Sequence, residues 1–331
     1  MAKFLIFRTD RIGDFITSQF ITSSISDASK KNQVDVVASS YNSRYIKNFK
    51  YIKNIFIFDK TKNKFLDFLN LFLQISKKKY DYLIVLDGKR RSFLSGIFIN
   101  SSIKICFLKD FYPKFLINLF YDKYIKNTET NTQNKNFQIL LNYLDIKTPK
   151  SINYYKKYKF IINKITFQKP YLHLHLDEKW FKDHYFYDFD YMNLNPDSIY
   201  FFLETLVKKF KSNIIITQGF KRVKIMQEFK RKYFTNTKNP KIKIINKTVK
   251  FIEKSSFREL ENIVFNSKIL ICCEGAISHV SHSLNKNTIA LIQKDRIIST
   301  NFWIGHMNNI KTVYRNDIKK VSKDILKLNF T

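Results

Sequence analysis

Short apolar runs alternate with longer amphipathic runs along most of the chain. The short runs are rich in Ile, Val, Leu and Phe and are largely apolar on both faces, which is typical of parallel strands covered by helices. We predict strands at Lys3–Arg8, Val34–Ser39, Asn54–Phe58, Tyr82–Leu86, Ile103–Phe107, Tyr171–Leu176, Asn213–Thr217, Lys241–Ile245, Lys268–Cys272 and Thr288–Ile292.

The longer runs carry the 3.6-residue spacing of helices. They are Asp14–Ser26, Lys64–Ser76, Arg91–Asn100, Asp197–Phe210, Lys221–Tyr233 and Ser256–Phe265. This alternation predicts an α/β protein whose parallel sheets are built from right-handed βαβ units.

Two such series of elements follow one another in the 331 residues, a length that suggests about two domains. They are separated by a polar stretch, Asn127–Asn136, a predicted helix, Phe137–Leu144, and a lysine-rich stretch, Lys147–Lys159. We therefore expect two Rossmann-like, doubly wound domains over residues 1–155 and 165–331, facing each other across a cleft. Ligands of such domains lie beyond the carboxyl ends of the strands.

The net charge is +32, from 59 Lys and Arg against 27 Asp and Glu. Such a protein attracts polyanions, and basic clusters occur at Lys77–Lys79 and Lys89–Arg91. Lys, Ile, Asn, Phe and Tyr are frequent together while Gly occurs only 6 times, which indicates a coding bias behind part of the charge. The aromatic residues lie mostly within predicted elements, where core packing explains them, so we expect no specific nucleic-acid partner.

The cellular location is predicted from the first residues and the cysteines. Arg8 and Asp10 interrupt any signal-peptide core, and the uncharged runs are shorter than a membrane-spanning helix requires. Cys106, Cys272 and Cys273 form no CxxC spacing, so neither a disulfide framework nor a zinc site is indicated. The expectation is a cytoplasmic protein with reduced thiols.

The turn after the first predicted strand holds the first candidate site. Gly13 and Asp14 open the following helix there, with Arg8 and Arg11 just before them. Asp14 is interpreted either as an acidic residue favoured by the helix dipole, which is the simpler interpretation, or as a general base. Arg8, Arg11 and Gly13, together with Asp87 after a later strand, are further candidates for the acceptor side.

A second candidate site lies in the run from Glu274 to His279, between a predicted strand and a helix. The free N–H groups at such a helix start, here around Gly275 and Ala276, form an anion site suited to a diphosphate. Glu274 can accept hydrogen bonds from sugar hydroxyls. His279 lies one helical turn further on and is either a structural or a functional histidine.

A third candidate segment leaves the first strand of the second half. His173 and His175 point the same way on that strand, but no further ligand follows at a metal-binding spacing, so we predict no metal site. Lys179 in the following loop is a better candidate, as a point charge on a phosphate.

Four of the rare glycines fall at or just after the carboxyl ends of predicted strands. They are Gly13, Gly88, Gly219 and Gly275. We expect them to adopt positive φ or to let the backbone approach a ligand, although βα turns also favour Gly for ordinary reasons. None belongs to a G-x-G-x-x-G motif, which argues against a dinucleotide-dependent oxidoreductase.

Taken in order, five segments resemble the heptosyltransferase family (glycosyltransferase family 9) of lipopolysaccharide core synthesis. They are KFLIFRTDRIGD at Lys3–Asp14, YDYLIVLDG at Tyr80–Gly88, NKNFQILLNYLDI at Asn134–Ile146, the pair Lys179-Trp180, and EGAISH at Glu274–His279. The resemblance runs from residue 3 to about residue 292, and the order and spacing of the segments make it more specific than any one of them.

The resemblance implies a GT-B fold and an inverting transfer from a nucleotide-diphospho-sugar, usually ADP-heptose, with no further cofactor. By position, Asp14 would deprotonate the acceptor hydroxyl, Lys179 would neutralise the leaving diphosphate, and Glu274 would bind the donor sugar. The turn Gly275–His279, including Ala276, would hold phosphate. The acceptor would be an anionic, lipid-linked molecule at the cytoplasmic surface of the inner membrane, which the basic clusters would face.

Three positions depart from the family pattern. Glu274 stands where Asp is usual, Ala276 replaces a second Gly, and Phe220–Arg222 offers no acidic residue for the ribose. These departures leave a GT-B transferase using another nucleotide sugar as one alternative. A non-enzymatic, basic nucleic-acid-binding protein on a Rossmann-like scaffold is the alternative from a different class.

Overall fold

We describe the protein from a computed structural model. The described residues are 1–59, 63–108, 113–127, 130–149, 167, 170–181, 192, 194–219, 221–234 and 240–330. The chain divides into two compact units, Met1–Phe160 and Ile161–Thr331. Residues 150–166, where we place most of the domain boundary, lie outside the described residues.

The first unit is built on a parallel sheet with the strand order β3-β2-β1-β4-β5-β6. Its strands are β1 Lys3–Arg8, β2 Gln33–Ala38, β3 Ile52–Ile57, β4 Tyr80–Val85, β5 Ser101–Leu108 and β6 Lys123–Lys126. Its helices are α1 Ile12–Ala28, α2 Ser40–Ile46, α3 Lys64–Ile75, α4 Arg90–Ile97, α5 Lys114–Phe120 and α6 Gln133–Tyr143.

Burial on both faces explains why the strands of the first unit read as continuous apolar runs. Leu5, Ile6 and Phe7 of β1 are completely buried. Leu71 of α3, Phe93 of α4 and other residues of that helical layer share one core cluster with β1 and β4. The right-handed crossovers of β1 to β2 and β2 to β3 carry α1 and α2 to the opposite face. This change of face follows from the strand order, which reverses between β1 and β4.

The second unit has the strand order β13-β12-β11-β7-β8-β10-β9. Its strands are β7 Tyr171–Leu176, β8 Asn213–Gln218, β9 Lys241–Ile244, β10 Lys247–Ile252, β11 Ile269–Cys273, β12 Asn287–Ile292 and β13 Ile310–Tyr314. Its helices are α7 Pro196–Phe210, α8 Lys224–Tyr233, α9 Phe257–Asn266, α10 Ala276–Ser283, α11 Ile297–Ile304 and α12 Ile318–Lys327. Its strand order reverses between β7 and β11.

The predicted strands and helices are all present, with ends shifted by a few residues. One strand differs in direction, because β9 is antiparallel to β10, not parallel. Ile245 and Asn246, between them, have φ values of 46° and 61°. Two residues at positive φ make the tight hairpin turn that joins antiparallel strands, and the lysine-rich β10 carries too weak an apolar pattern to be predicted.

No helix in the described part of the chain is long and apolar enough to cross a membrane.

Candidate functional site

Asp14 occupies the third position of α1, as the sequence predicts for a first-turn residue. Its Oδ2 accepts a hydrogen bond from the backbone N–H of Arg11 at 3.1 Å and so caps the helix. The simpler interpretation, a carboxylate that stabilises the start of a helix, thus has a hydrogen bond to support it. The side chain nevertheless remains 26% exposed, so the carboxylate is both oriented and accessible.

Arg8 is buried beneath this turn. Its Nε donates to the backbone oxygen of Asp14 at 3.0 Å, and its Nη1 donates to the carbonyl of Leu86 at 3.1 Å. Nη1 also lies 3.3 Å from a carboxylate oxygen of Asp10. The buried guanidinium thus fastens the end of β1 to the start of α1 and to the segment after β4, and we assign it a positioning role.

The carboxylate of Asp87, at the carboxyl end of β4, is also occupied by hydrogen bonds from other residues of the first unit. Its Oδ2 accepts from the hydroxyls of Thr9 at 2.6 Å and Ser92 at 2.7 Å, and its Oδ1 accepts from the N–H of Lys89 at 3.2 Å. Burial and the neighbouring charge of Asp10 raise the pKa of Asp87, against the effect of these bonds. Asp87 therefore joins the loops after β1 and β4 and presents little surface to a ligand.

The remaining predicted residues of the first unit lie around the same turn. Lys89 Nζ forms an ion pair with Asp10 at 2.5 Å and donates to the carbonyl of Thr9 at 3.0 Å. Arg11 is exposed, and Gly13 is half-buried inside the first turn of α1, not in a turn before the helix. The edge of the sheet at the β1/β4 reversal thus carries the Asp14 carboxylate, on a helix turn that buried Arg8 holds in place.

In the second unit, Lys179 lies in a single 3-10 turn, Glu178–Trp180, directly after β7. Trp180 anchors the turn because its indole is completely buried against Phe202, with ring centroids 6.0 Å apart. Asp177 caps it by accepting from the N–H of Lys179 at 3.2 Å. This anchoring lets the Lys179 ammonium reach the turn after β11, where its Nζ donates to the carbonyl of Glu274.

The turn after β11 is shaped by this lysine. A Cβ on Gly275 would lie 2.7 Å from Lys179 Nζ, closer than real Cβ contacts. Gly275 has an extended backbone, so its role is close approach and not handedness. The Glu274 side chain is half-exposed beside it.

The positive-φ expectation is thus wrong for three of the four glycines and correct for Gly88, with φ of 57°. At Gly219, as at Gly275, close packing is the reason why only glycine fits. A Cβ at Gly219 would lie 2.5 Å from a carboxylate oxygen of Glu178. The loops after β7, β8 and β11 are therefore packed together, and glycine makes room for side chains from the β7 loop.

Helix α10 begins at Ala276, as predicted. The N–H groups at the very start of a helix have no acceptor within it, and here that of Ser278 already donates to the carbonyl of Gly275 at 3.1 Å. The Ser278 hydroxyl accepts from the N–H of Gly275 at 3.3 Å. His279 is buried, and desolvation together with the neighbouring His306 and His282 lowers its pKa to about 3. His279 is therefore a neutral imidazole beneath the helix start.

His173 and His175 point the same way on β7, and both meet the hydroxyl of Thr217 on β8. The distances from their ring nitrogens to Thr217 Oγ1 are 2.7 and 2.8 Å. Burial lowers the pKa of both, that of His175 to about 4. No group of three or more His, Cys, Asp or Glu side chains within the described ranges is placed to hold a metal ion.

The sequence analysis did not single out three further residues at the carboxyl ends of the strands of the second unit. Desolvation raises the pKa of Asp177 to about 7. Gln218 ends β8 and is buried, and neither atom of its amide has a hydrogen-bond partner within the described part of the chain. Arg315 follows β13 and is buried, and its charge lowers the pKa of the Cys273 thiol, against the larger effect of burial. The position of Asp177 and Gln218 at strand ends was a usable signal, whereas β13 itself was not predicted.

Solved structures of similar fold cover nearly the whole chain. The Escherichia coli heptosyltransferase WaaC with ADP-2-deoxy-2-fluoro heptose is 13% identical, with a TM-score of 0.70 over 98% of each chain. A family 9 glycosyl transferase from Veillonella parvula is 14% identical, with a TM-score of 0.71 over 98% of this chain and 91% of that one.

This protein has the fold of the family 9 heptosyltransferases. Its two Rossmann-like units are those of a GT-B architecture. A UDP-GlcNAc 2-epimerase from Methanocaldococcus jannaschii also shares the fold, with 14% identity and a TM-score of 0.60 over 99% of this chain and 94% of that one. No family model and no curated protein sequence matches the chain.

Within this family 9 fold, the predicted residues form two groups, each at the strand-order reversal of its own unit. Arg8, Arg11, Gly13, Asp14 and Asp87 lie at the β1/β4 edge. Lys179, Glu274, Gly275, Ala276 and His279 lie at the β7/β11 edge. In doubly wound sheets these reversals are the usual places for ligands.

Proposed function

We propose that this protein is an inverting glycosyltransferase that moves a sugar, in the first instance heptose from ADP-heptose, to an anionic lipid-linked acceptor of the lipopolysaccharide-core type. The observation that carries the proposal is the contact of Lys179 Nζ with the Glu274 carbonyl, beside the start of α10. This contact places an ammonium and a helix N-terminus at one strand-order reversal. Solved structures of this fold include one with ADP and one with an ADP-heptose analogue.

The donor is bound at the β7/β11 edge. The ammonium of Lys179 and the free N–H groups at the start of α10 stabilise the negative charge that develops on the leaving diphosphate. The half-exposed carboxylate of Glu274 accepts hydrogen bonds from sugar hydroxyls. Neutral His279 supports the helix start from below without adding a charge.

The acceptor is activated by Asp14. As the acceptor hydroxyl oxygen forms its bond to the anomeric carbon, the bond from that carbon to the diphosphate oxygen breaks. The bonding electrons leave with the diphosphate, and the hydroxyl proton passes to the Asp14 carboxylate. Attack from the face opposite the leaving group inverts the configuration. Arg8 holds Asp14 in position through its backbone oxygen.

A panel of nucleotides tests the donor assignment. We expect ADP and ADP-sugars to raise the melting temperature, and UDP, GDP and UDP-GlcNAc to leave it unchanged. A shift with UDP-GlcNAc and not with ADP would favour the alternative of another nucleotide sugar, or epimerase chemistry in this shared fold. Tight binding of nucleic acid that survives several hundred millimolar salt, without any nucleotide effect, would favour the non-enzymatic alternative.

Chelation tests how the leaving group is stabilised. Because Lys179 and α10 supply positive charge at the donor edge, we expect turnover to continue at an unchanged rate in excess EDTA. Loss of turnover in EDTA, restored by a divalent cation, would contradict the proposed role of Lys179.

We further propose that the protein acts at the cytoplasmic surface of the inner membrane as a peripheral protein. The high positive charge supports this placement, because anionic lipid surfaces attract basic proteins.

A further inference from the structure

Helix α3 is apolar on two sides. Its inward side places Leu71 and Ile75 in the core. Its outward side presents Phe65, Leu69 and Leu73, which are 70%, 36% and 61% exposed. These three residues are spaced four apart and so lie within about 80° of one another around the helix axis. A helix of a water-soluble unit normally carries polar residues on its outer side.

The apolar outer surface continues onto the two neighbouring helices of the same layer. Phe93 of α4 and Ile117 of α5 pack into the same core cluster as α3. On the outside, Leu94 and Phe98 are exposed at and after α4, and Phe115 and Leu119 are exposed on α5. The ring of Phe68 links α3 to Phe98, with centroids 5.5 Å apart. We call the exposed side chains of α3, α4, α5 and Phe98 the outer apolar surface.

A groove of about 880 Å³ opens between α3 and α4. Its walls include Phe58, Phe68, Leu94 and Phe98, and it is also lined by Asp59, Asp67 and the three cations Lys89–Arg91. The Arg91 guanidinium lies 4.9 Å from the centroid of the Phe58 ring. Its Nη1 is buried and has no hydrogen-bond partner among the described residues.

Exposed cations border the outer apolar surface. Lys77 and Lys79 follow the end of α3, Arg90 begins α4, and Lys114 begins α5. Large apolar side chains surrounded by lysine and arginine are the combination that binds the interface of an anionic bilayer.

We propose that the outer apolar surface docks this protein onto an anionic lipid bilayer, with Phe65, Leu73 and Phe115 entering the headgroup region. A second copy of the chain is a poorer occupant, because two such surfaces would bring like charges together. Nucleic acid is also a poorer occupant, because Leu side chains give bases no stacking platform. The proposal rests on the proposed function for its biological purpose, since an acceptor held in a membrane would be met there.

Vesicle flotation tests the proposal. The full chain is mixed with vesicles of phosphatidylcholine alone or with 30% phosphatidylglycerol, at low and high salt. We expect binding to the phosphatidylglycerol vesicles that weakens with salt. The double variant Phe65→Ser/Leu73→Ser should bind about tenfold more weakly, and Arg90→Glu/Lys114→Glu at least fivefold more weakly.

The matched control is Ile139→Ser, on α6 outside the helical layer that carries this surface, where the native side chain is 45% exposed. It should bind vesicles like the wild type. All variants are also tested for the ADP melting shift, which should be unchanged, so that a failed membrane proposal is distinguished from a failed donor assignment. Wild-type vesicle binding by both double variants would overturn the proposal. A wild-type dimer in sedimentation, broken by Phe65→Ser/Leu73→Ser and without vesicle binding, would overturn it in favour of a second copy.

Discussion

Asp14 and Gln218 show two ways in which a polar side chain near the carboxyl end of a strand can be left able to bind a ligand. The Asp14 carboxylate is fixed by the Arg11 N–H and by Arg8 beneath it, yet it keeps an exposed part. The Gln218 amide is buried with both polar atoms unpaired among the described residues. A buried, unpaired amide costs free energy of folding, so a ligand that pairs with it recovers that cost.

Replacing Asp14 with Asn removes the proposed base. Turnover should fall at least a hundredfold because proton transfer is lost, while ADP affinity should be unchanged because the proposed donor site lies in the other unit. The Asn side chain still accepts the Arg11 N–H bond, so the melting temperature should stay close to the wild type. The control is Asp27→Asn at the far end of α1, which should turn over normally. Activity retained in Asp14→Asn would remove Asp14 from its role.

Replacing Gln218 with Leu tests whether its amide contacts the nucleotide. We expect ADP affinity to fall about tenfold, measured by calorimetry, because a pair of hydrogen bonds to the ligand is lost. The stability to urea should be equal or higher, because two unpaired polar atoms leave the interior. Gln133→Leu is the matched control, since Gln133 is also buried with an unpaired Oε1 but lies in the first unit. Equal ADP affinity in both variants would contradict the assignment.

At the scale of elements, the proposed donor site at the β7/β11 edge depends on a contact between two loops that are far apart in the sequence. The 3-10 turn after β7 is anchored by buried Trp180, and it delivers Lys179 to the turn between β11 and α10. Parallel pairing of β7 with β11 brings these loops to one edge of the sheet. Gly275 leaves the space that the ammonium occupies.

A double-mutant cycle measures this contact. Lys179→Ala should weaken ADP binding about tenfold or more, because a charged partner of the diphosphate is lost. Gly275→Ala should weaken it as well, because the new Cβ displaces the flexible end of Lys179. The double variant should bind no more weakly than Lys179→Ala, since both changes act on the same ammonium.

The control for the cycle is Lys268→Ala, an exposed lysine at the opposite end of β11, which should bind ADP normally. Additive losses in the double variant would show that Gly275 acts independently of Lys179.

At the scale of the whole molecule, the titratable groups are divided unequally between the two units. All six histidines lie in the second unit, between residues 173 and 306. Burial lowers the pKa of five of them, to about 4 for His175 and His306 and about 3 for His279. Desolvation acts in the opposite direction on Asp177, whose pKa rises to about 7.

We therefore expect the second unit to lose stability in acid. Below pH 6.5 the unfolded chain binds protons on histidines that remain neutral when folded, so stability present above pH 6.5 falls as the pH falls towards 4. Asp177 opposes this, because its folded form binds a proton between about pH 4 and 7, but one carboxyl is outweighed by five imidazoles. His175 alone contributes on the order of 3 kcal/mol to the change.

Urea unfolding followed by tryptophan fluorescence measures this loss, because Trp180 and Trp303 both lie in the second unit. The midpoint should fall steadily from pH 6.5 to 4.5. Asp177→Asn should make the fall steeper, because the opposing group is removed, and His175→Gln should make it shallower. A midpoint that is constant or rises over this range would contradict the expectation.

The sequence by itself determined the alternation of strands and helices, because strands buried on both faces must be short apolar runs and their covering helices must be amphipathic. It also determined that Asp14 opens a helix and that Glu274 and Gly275 precede one, since both are local consequences of chain order. It could not give β6, β10, β13 or the direction of β9, whose patterns are weak and whose pairing is decided by neighbouring strands. The helices α2, α5, α11 and α12 were not predicted either.

Only the tertiary structure decided which of these residues are available to a ligand. Asp87 and Arg8 look as suitable as Asp14 in the sequence. In the folded chain, however, Asp87 accepts a hydrogen bond from Thr9 and Arg8 donates one to the carbonyl of Leu86, each across 78 positions of the sequence. Gly275 is required because Lys179, almost a hundred positions away, lies against it. The outer side of α3 is visible as apolar only once Leu71 and Ile75 are known to fill the core. In each case the deciding contact joins residues that are far apart in the sequence, so the local spacing of residues cannot predict it.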